Sequence, residues 1–384
     1  MSDRFFDVAI IGGSVAAAAA ALTLAATSRS VVLIAPALDE TDRIGEFLSP
    51  AANALLSELG LAEAFASGPH RPAHATYAAW GSVLLAQRNS IGLPDGPGHI
   101  LDRAAFLRML RQAAARSGAT EIRGNLADVS YDADLWSLRL RGGEALAARF
   151  VLDCSGRAAV VGRRFATRYR SDRLIAVSAF LHQQDNDVEP TPATIIEAVP
   201  QGWWYASLLP DRRLAIALFG DPDTLPRSLS RDSAAFSCAI AETQNLKRWI
   251  ESAGFAISAR SRVASAGTTW LEPVADKVWA AAGDAATAFD PLSSHGLTTA
   301  LWSGRQAALA AAAALAGNDT LLAHYAAAVR ASISRFLVEQ RAVYALERRW
   351  PSLPFWSRRN SLERNVSQTF LDSYSEPGPR DCRH

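Results

Sequence analysis

The chain has 384 residues, 49% of them hydrophobic, with 39 basic and 38 acidic residues and a formal net charge of +1. This length can bury one or two domain cores. The balanced charge argues against a nucleic-acid or anionic-membrane partner. Three widely spaced cysteines without a C-x-x-C pair favour a reducing, cytoplasmic location, and scattered histidines give no metal site.

The N-terminal segment 7–17 reads as an apolar strand, a turn of small residues and an alanine-rich helix. It lacks the basic start of a signal peptide, and the turn interrupts it after one strand's length. The three small positions of a dinucleotide-binding turn hold Gly12, Ser14 and Ala17, and Gly13 lies between the first two. These residues predict a pyrophosphate contact at a helix N-terminus. A βα unit that binds no nucleotide is the alternative.

The next strand, 31–34, ends in Ala35-Pro36 rather than in the acid that holds a ribose in such folds. Asp39 or Glu40 could reach the ribose instead, or adenosine could be held without an acid. Further along, Glu46 precedes a helix that begins near Pro50. We expect Glu46 either to line the active site or to stabilise that helix start electrostatically.

Segment 99–110 predicts an amphipathic helix with Arg103 near its start, where the guanidinium can pair with phosphate. An isolated helical arginine is more often solvated, so Arg103 depends on its neighbours for this role. A second hydrophobic run, 150–157, stops at an acid and at Gly156.

Short strand-like runs at 174–181, 193–199, 203–209 and 214–219 are separated by turn signals. They predict an antiparallel sheet inserted into the nucleotide-binding fold. Its aromatic residues Trp203 and Tyr205, together with Trp80, could wall a substrate pocket from which water is excluded. Plain core packing is the alternative, because aromatic side chains bury large areas.

A third segment, 278–286, contains Gly283-Asp284 at the end of a strand, where a carboxylate can accept hydrogen bonds from ribityl or sugar hydroxyls. Pro291 and Gly296 shape the loop into a helix over 297–316, whose amide dipoles favour negative charge on a reduced flavin. His295 in that loop could donate a hydrogen bond or move a proton, or it could merely close the loop. The three segments together fit the contact points of one FAD.

A helix over 321–348 and a flexible tail complete the predicted elements. The predicted fold class is α/β, with a Rossmann-like FAD-binding domain, an inserted antiparallel substrate domain and a helical C-terminus. The predicted limits are 1–75, 98–165 and 262–318 for the first domain and 76–97 and 166–261 for the second. The C-terminal helical region takes 319–370 and the tail 371–384.

Segments 12–14, 153–157 and 283–284 resemble the FAD-dependent aromatic hydroxylases of the para-hydroxybenzoate hydroxylase fold and the flavin-dependent halogenases. Stretches 44–50, 80–82, 101–103, 290–296 and 349–356 resemble more closely the flavoproteins that mature quinone-cofactor enzymes. The resemblance implies FAD, dioxygen, and NAD(P)H or a reduced-flavin supply from a possible reductase. It also implies a tryptophan-containing partner polypeptide, or a small aromatic molecule, as substrate. From their positions beside the expected flavin, we predict Glu46 and His295 as the catalytic residues.

Halogenation is an alternative that the sequence disfavours. Segment 202–210 resembles the W-x-W-x-I-P signature of halogenases, but Tyr205 replaces its second tryptophan. Those enzymes also use a lysine to carry the activated halogen, whereas this chain has no lysine before Lys247. Arginine stays protonated and cannot replace it. An FAD-dependent reductase or dehydrogenase, and a flavin-free binding protein, are the remaining alternatives.

Overall fold

The computed structural model describes residues 4–37, 44–89, 96–185, 187–257 and 261–360. The strands are β1 (Arg4–Ile11), β2 (Val31–Ala35), β3 (Phe47–Leu48), β4 (Arg71–Ala73), β5 (Ala75–Ala79), β6 (Ala86–Asn89), β7 (Gly98–Ile100), β8 (Thr120–Arg123), β9 (Leu126–Asp132), β10 (Leu135–Leu140), β11 (Ala145–Asp153), β12 (Thr167–Arg170), β13 (Ile175–Gln183), β14 (Thr194–Val199), β15 (Gly202–Leu208), β16 (Leu214–Gly220), β17 (Phe255–Ile257), β18 (Arg262–Ser265), β19 (Thr269–Glu272), β20 (Ala275–Asp276), β21 (Trp279–Ala281) and β22 (Thr287–Ala288). The helices are α1 (Val15–Ala25), α2 (Ala52–Glu58), α3 (Ala62–Ala66), α4 (Arg103–Arg116), α5 (Gly162–Phe165), α6 (Ser233–Ala241), α7 (Asn245–Ser252), α8 (Gly296–Ala314), α9 (Thr320–Ala345) and α10 (Pro354–Asn360).

The first sheet is built around β1, which runs parallel to β2 on one side and to β11 on the other. Strand β8 continues the parallel order beyond β2, and β21 continues it beyond β11. Every residue of β2 is buried, as expected for a parallel strand covered on both faces. The order of strands reverses between β1 and β11, and in such sheets the carboxyl ends of the two strands open a crevice for a ligand.

Helices α1 and α8 cross one face of this sheet at close range. A Cβ atom on Gly304 of α8 would lie 2.2 Å from the Ala16 carbonyl oxygen of α1. The alanine side chains of α1 are buried almost throughout. Small residues therefore allow the backbones of the two helices to approach closely, which explains the alanine-rich composition of both segments.

The second sheet has the order β17-β13-β16-β15-β14-β5-β6, with β18 also beside β13. Its pairs are antiparallel except for β14 with β5. The chain enters this sheet twice, first through β5 and β6 and later through β13 to β18. The four strand-like runs predicted from the sequence are confirmed as β13 to β16.

Strand β16 is buried on both faces. One face packs under α6 and α7, where Leu218 joins Phe236 and Trp249. On the other face Phe219 joins Trp356 of the C-terminal segment. The second sheet, which we call the substrate sheet, therefore packs between helices α6 and α7 on one face and the C-terminal segment on the other.

The two helices predicted after residue 296 are confirmed as α8 and α9, and the predicted α/β fold class with a helical C-terminus is confirmed. The predicted tail lies outside the described residues. The domain limits given above remain our proposal. Within the described ranges, none of the helices combines the length and apolar character needed to cross a lipid bilayer.

Candidate active site

The turn between β1 and α1 closes directly against the end of β11. Gly12 has φ +117°, and a Cβ atom there would lie 2.4 Å from the Cys154 carbonyl oxygen. Ser14 donates from Oγ to the same oxygen at 2.9 Å and accepts from the Ala17 amide at 3.3 Å. Ser14 thus caps α1 and ties the two strand ends together, while the first-turn amides of α1 point toward the crevice mouth.

The third predicted segment reaches the same place. The Ala282 amide donates to the Asp153 carbonyl oxygen at 2.9 Å, and Gly283, with φ +60°, would place a Cβ atom 2.9 Å from the Ala16 side chain. Gly156, in the second segment, also has a positive φ of 69°. The three segments that the sequence singled out therefore converge around one crevice at the carboxyl ends of β1 and β11.

Two acids near the crevice differ in their surroundings. Asp153 is fully buried, and its carboxylate accepts the amides of Ser155, Val161 and Gly162, so it holds the loop after β11. Asp284 keeps 46% of its side-chain surface exposed and lies 3.6 Å from Arg157 Nε. Only Asp284 of these two is available to ligand hydroxyl groups.

Arg103 opens α4, where Asp102 caps the helix by accepting the Ala105 amide at 2.8 Å. Its Nη1 donates to the Ile44 carbonyl oxygen at 2.7 Å. Partial desolvation raises the pKa of Asp284, against the lowering effect of the positive charges of Arg157 and Arg103. Burial raises the pKa of Glu46, which Arg103 also lowers. Arg103 therefore lies in the electrostatic reach of both acids, and its predicted contact with phosphate stays a prediction.

Glu46, just before β3, and Tyr205 of β15 form a hydrogen-bonded pair. Glu46 is 2% exposed, and its carboxylate accepts the Tyr205 hydroxyl at 2.6 Å and the Gly45 amide at 2.7 Å. Burial raises the pKa of Glu46, against the opposing effect of these hydrogen bonds. The pKa of Tyr205 is raised well above its ordinary value by burial and by the neighbouring Glu46 charge. The Tyr205 hydroxyl and the Glu46 carboxylate can therefore hold or pass on a proton in desolvated surroundings.

The loop 290–296 leads from the buried Asp290 into α8. The Asp290 carboxylate accepts the Leu292 amide at 2.9 Å and so fixes the turn that contains Pro291. His295 is an exposed residue at the start of α8, and desolvation lowers its pKa. Within the described part of the chain, His295 makes no direct hydrogen bond to Glu46. A Cβ atom on Gly296 would meet no atom within 4 Å.

The predicted substrate residues fall into two groups. Trp203 is 1% exposed, stacks on Phe219 with ring centroids 4.2 Å apart, and donates from Nε1 to the Tyr344 hydroxyl at 3.1 Å. Its position matches the packing role rather than a surface contact with substrate. Trp80 and Tyr205 are only half-buried and keep surface that a substrate can touch.

An ion pair at the end of β2 was not predicted from the sequence. Arg111 of α4 is buried and pairs with Glu121 of β8, and its Nη1 lies 3.5 Å from the Pro36 carbonyl oxygen. Asp39 and Glu40 lie outside the described residues. The missing acid at Ala35 was the only sign in the sequence that this position differs from the usual dinucleotide-binding fold. The ion pair could not be predicted from it, because Arg111 and Glu121 lie on a helix and a strand far along the chain.

A second missed feature is the contact that joins the loop to α9. The Asp290 carboxylate also accepts the Tyr344 hydroxyl at 2.8 Å and the Gln340 amide group at 2.9 Å. Through Tyr344 the aromatic cluster around Trp203 is linked to the loop beside the crevice. Among the residues that the structure describes, no group of three histidine, cysteine or acidic side chains is placed to hold a metal ion.

Known proteins resemble this chain in sequence and in structure. Residues 96–378 match the tryptophan halogenase family. The chain is 26% identical over 365 residues to the putative FAD-dependent oxidoreductase LodB of Marinomonas mediterranea, covering 93% of this chain and 97% of that protein. Among solved structures it is similar to the myxobacterial chondrochloren halogenase CndH (TM-score 0.83, 20% identity, 97% of this chain and 89% of that one). It is also similar to the peptidyl tryptophan dihydroxylase QhpG (TM-score 0.76, 23% identity, 93% and 79%).

Proposed function

Because the chain belongs to the tryptophan halogenase family, we propose that it is a monooxygenase of that family which hydroxylates the indole ring of a tryptophan in a partner polypeptide. The family membership confirms the resemblance noted in the sequence. The protein is an FAD-dependent oxidoreductase.

The residues around the crevice suit an FAD molecule. Gly12 lets the turn close against the end of β11, Gly283 packs against Ala16 of α1 where a larger side chain would collide, and the start of α1 offers amides to phosphate. When bound and reduced, FAD supplies the activated oxygen derived from dioxygen. The proposed cofactor contacts are Gly12, Gly13, Ser14, Ala17, Arg103, Gly156, Gly283, Asp284, Pro291 and Gly296.

The observation that carries hydroxylation rather than halogenation is the position of the two lysines. Lys247 lies on α7, is 44% exposed and pairs with Glu251 at 3.8 Å. Lys277 is exposed in the turn between β20 and β21. Neither lies near the Glu46–Tyr205 pair, so the nitrogen that would carry a halogen in the related halogenases has no counterpart in this site.

Glu46 and Tyr205 supply the proton chemistry of the proposed reaction. Hydroxylation of an aromatic carbon puts one oxygen atom of dioxygen on the ring and the other into water, with two electrons from NAD(P)H or a reduced-flavin supply. The ring carbon must lose its proton, and the carboxylate Oε1 of Glu46 can take it through the Tyr205 hydroxyl 2.6 Å away. Its raised pKa makes this carboxylate a stronger base than an exposed one.

LodB, which matches along nearly its whole length, is described as a putative FAD-dependent oxidoreductase, and this supports the flavin chemistry. A polypeptide substrate is supported by the name of one similar structure. QhpG is described as a peptidyl tryptophan dihydroxylase that is essential for tryptophylquinone biogenesis. The wall residues Trp80 and Tyr205 provide aromatic surface of the kind that an indole ring packs against.

Halogenation is the second candidate, favoured by the family and by the likeness to CndH. The test supplies the purified protein with FAD, a flavin reductase, NADH, bromide and labelled dioxygen, together with free indoles and a co-expressed tryptophan-containing polypeptide. We expect a mass gain of one or two labelled oxygen atoms on the polypeptide. Bromine incorporation would establish the second candidate, and the absence of any oxygen incorporation would reject the proposal.

Glu46→Gln is the matched variant for this test. It keeps the size of the side chain but cannot accept the ring proton at neutral pH. We expect it to bind FAD like the wild type and to lose most of the product. If the product is unchanged, Glu46 has no part in the proton transfer.

A further inference from the structure

An exposed apolar surface lies beside the aromatic cluster. Thirteen large hydrophobic side chains are exposed within the described residues, and five of them belong to two segments that touch each other. We call these five the apolar patch: Val83, Leu84, Leu85, Val343 and Leu346. Exposed apolar side chains grouped on neighbouring segments mark interaction sites more often than single scattered residues do.

Hydrogen bonds hold the two segments of the apolar patch in place. The Trp80 indole Nε1 donates to the Val343 carbonyl oxygen at 2.9 Å, and the Gly81 amide donates to the Glu347 carboxylate at 2.8 Å. A Cβ atom on Gly81, which has φ +71°, would lie 2.6 Å from the Leu346 carbonyl oxygen. From the far side, the Asn245 side chain donates to the Val83 carbonyl oxygen at 3.0 Å. The patch is therefore a built surface rather than a loose loop.

The two segments that carry the apolar patch adjoin the aromatic cluster of the candidate site. The Trp80 ring lies 6.2 Å from Trp203 and 5.8 Å from Tyr344, measured between ring centroids. Tyr344 in turn bonds to Asp290 at the start of the loop beside the crevice. A chain seated on the patch would thus lie next to the aromatic residues that lead inward.

Most of the charges around the apolar patch are positive. The charged residues within four positions, about one helical turn, of any patch member are Arg88, Glu339, Arg341, Glu347, Arg348 and Arg349. Glu347 is fully buried and pairs with Arg349 at 2.5 Å, so these two charges offset each other. Three arginines and the exposed Glu339 remain, and Arg88 and Arg348 are exposed. Such a rim attracts negative charge.

We propose that the apolar patch is the docking surface for the partner polypeptide, and that it takes a segment in which apolar side chains alternate with acidic ones near the target tryptophan. Apolar side chains would cover the leucines and valines, while carboxylates would meet Arg88, Arg341 and Arg348. This inference rests on the proposed function for the identity of the partner. The docking itself does not require turnover.

Fluorescence anisotropy tests the proposal on the full-length protein loaded with FAD. The probe is a fluorescein-labelled synthetic peptide in which leucine and glutamate flank one tryptophan, and its control is the same peptide with lysine in place of glutamate. We expect the acidic peptide to bind about tenfold more tightly than the basic one, a preference of about 1.4 kcal/mol. Leu84→Asp and Leu346→Asp should each weaken it about tenfold.

Val263→Asp is the matched control. Val263 is 51% exposed, similar to the patch leucines, but lies on β18 beside β13, toward the opposite edge of the same sheet from β6. It should leave peptide binding unchanged, and all three substitutions are exposed enough to leave the fold intact. Arg348→Glu should weaken the acidic peptide and strengthen the basic one.

Several results would overturn the docking proposal. Equal binding of the two peptides would do so, and so would equal effects of Leu84→Asp and Val263→Asp. Binding that appears only after residues 361–384 are removed would mean that the chain covers its own patch. A dimer that Leu346→Asp separates in sedimentation would assign the patch to a second copy. Peptide that binds at the patch but gains no oxygen would leave the docking intact and reject the proposed function.

Discussion

At the residue scale, small residues in the turn after β1 serve two different purposes. Gly12 is required because its backbone has φ +117° and lies against Cys154. Ser14 replaces the second glycine of the dinucleotide-binding pattern and adds a helix cap and a bond to the end of β11. The glycine pattern of dinucleotide-binding turns is therefore changed in sequence, but the close contact between the ends of β1 and β11 is kept.

Gly12→Ala should therefore disrupt both folding and cofactor binding. The new methyl group would be forced into an unfavourable φ and would overlap the Cys154 carbonyl, and we expect a loss of about 2–5 kcal/mol in the free energy of unfolding. The measurement is urea denaturation together with the ratio of bound flavin to protein. Gly142→Ala is the control, because a Cβ atom there meets nothing within 4 Å and should change stability by less than about 0.5 kcal/mol. Similar effects of the two substitutions would contradict this account.

Glu46 should make stability depend on pH. Burial raises the pKa of Glu46 above its ordinary value of 4.5, so the folded protein holds this proton more tightly than the unfolded chain does. The wild type therefore loses stability as the pH rises from 4.5 through the raised pKa, by about 1.4 kcal/mol for each pH unit that separates the folded and unfolded pKa values. Glu46→Gln lacks this titration, so its melting temperature should rise relative to the wild type over that interval.

Tyr205→Phe is the companion variant. The Tyr205 hydroxyl lowers the pKa of Glu46, so its removal should raise that pKa and extend the loss of stability to higher pH. Melting temperatures for the three proteins across the same pH series provide the test. Parallel curves for the wild type and Glu46→Gln would show that the buried carboxyl group does not control stability.

Residue roles could be predicted from the sequence where neighbouring residues in the chain determine them. The conformation of Gly12 and the cap at Ser14 follow from a strand that runs straight into a helix. The Arg111–Glu121 pair could not be predicted, because it forms only when α4 and β8 pack beside β2. Trp203 was assigned correctly to a strand, but its alternation could not tell whether it faced substrate or the C-terminal segment.

At the element scale, the short helix α10 fastens the end of the chain to the substrate sheet. The Trp356 indole donates to the Val199 carbonyl oxygen at 2.9 Å. Arg359 pairs with Asp221 at 2.8 Å, with both side chains almost fully buried, and lies 3.7 Å above the Phe355 ring. These contacts hold Trp356 against Trp80 and so support the aromatic cluster.

Arg359→Ala should be strongly destabilising, because it leaves the Asp221 carboxylate buried without its main partner. We expect a loss of about 3–5 kcal/mol. Arg358→Ala is the comparison variant: Arg358 is 47% exposed and pairs with the exposed Asp223 at 2.6 Å and with Asp221 at 3.0 Å. Its removal leaves Asp221 paired with Arg359, so the cost should be about 0–1 kcal/mol. Urea denaturation of the two variants measures the difference, and equal losses would mean that α10 is not held by the buried pair.

Strands β13 to β16 and helices α8 and α9 could be predicted because each is a long apolar pattern bounded by turn residues. Helix α10 spans only seven residues and depends on Asp221, which lies more than a hundred residues earlier. A contact of that kind leaves no periodic pattern in the sequence. The contacts that hold α10 on the substrate sheet are therefore visible only in the folded structure.

At the scale of the whole molecule, the crevice is assembled from chain segments that are far apart in sequence. The turn at Gly12, the end of β11 and the loop at Gly283 meet only in the folded state, while Arg103 approaches from α4. The order of the three segments could be predicted from their letters. Their distances could not, since these depend on how α1 and α8 pack on the sheet.

Such a site links FAD binding to folding, because the unfolded chain cannot present the segments together. FAD at about 100 times its dissociation constant should add about 2.7 kcal/mol to the free energy of unfolding and raise the melting temperature. FMN, which lacks the adenosine half and one phosphate, should give a smaller shift at the same concentration, because it brings only one phosphate to the amides at the start of α1 and no adenosine. Differential scanning calorimetry of flavin-stripped protein measures both shifts. Equal shifts with FAD and FMN would mean that the second phosphate and the adenosine contribute nothing to binding, which would contradict a dinucleotide site at the turn after β1.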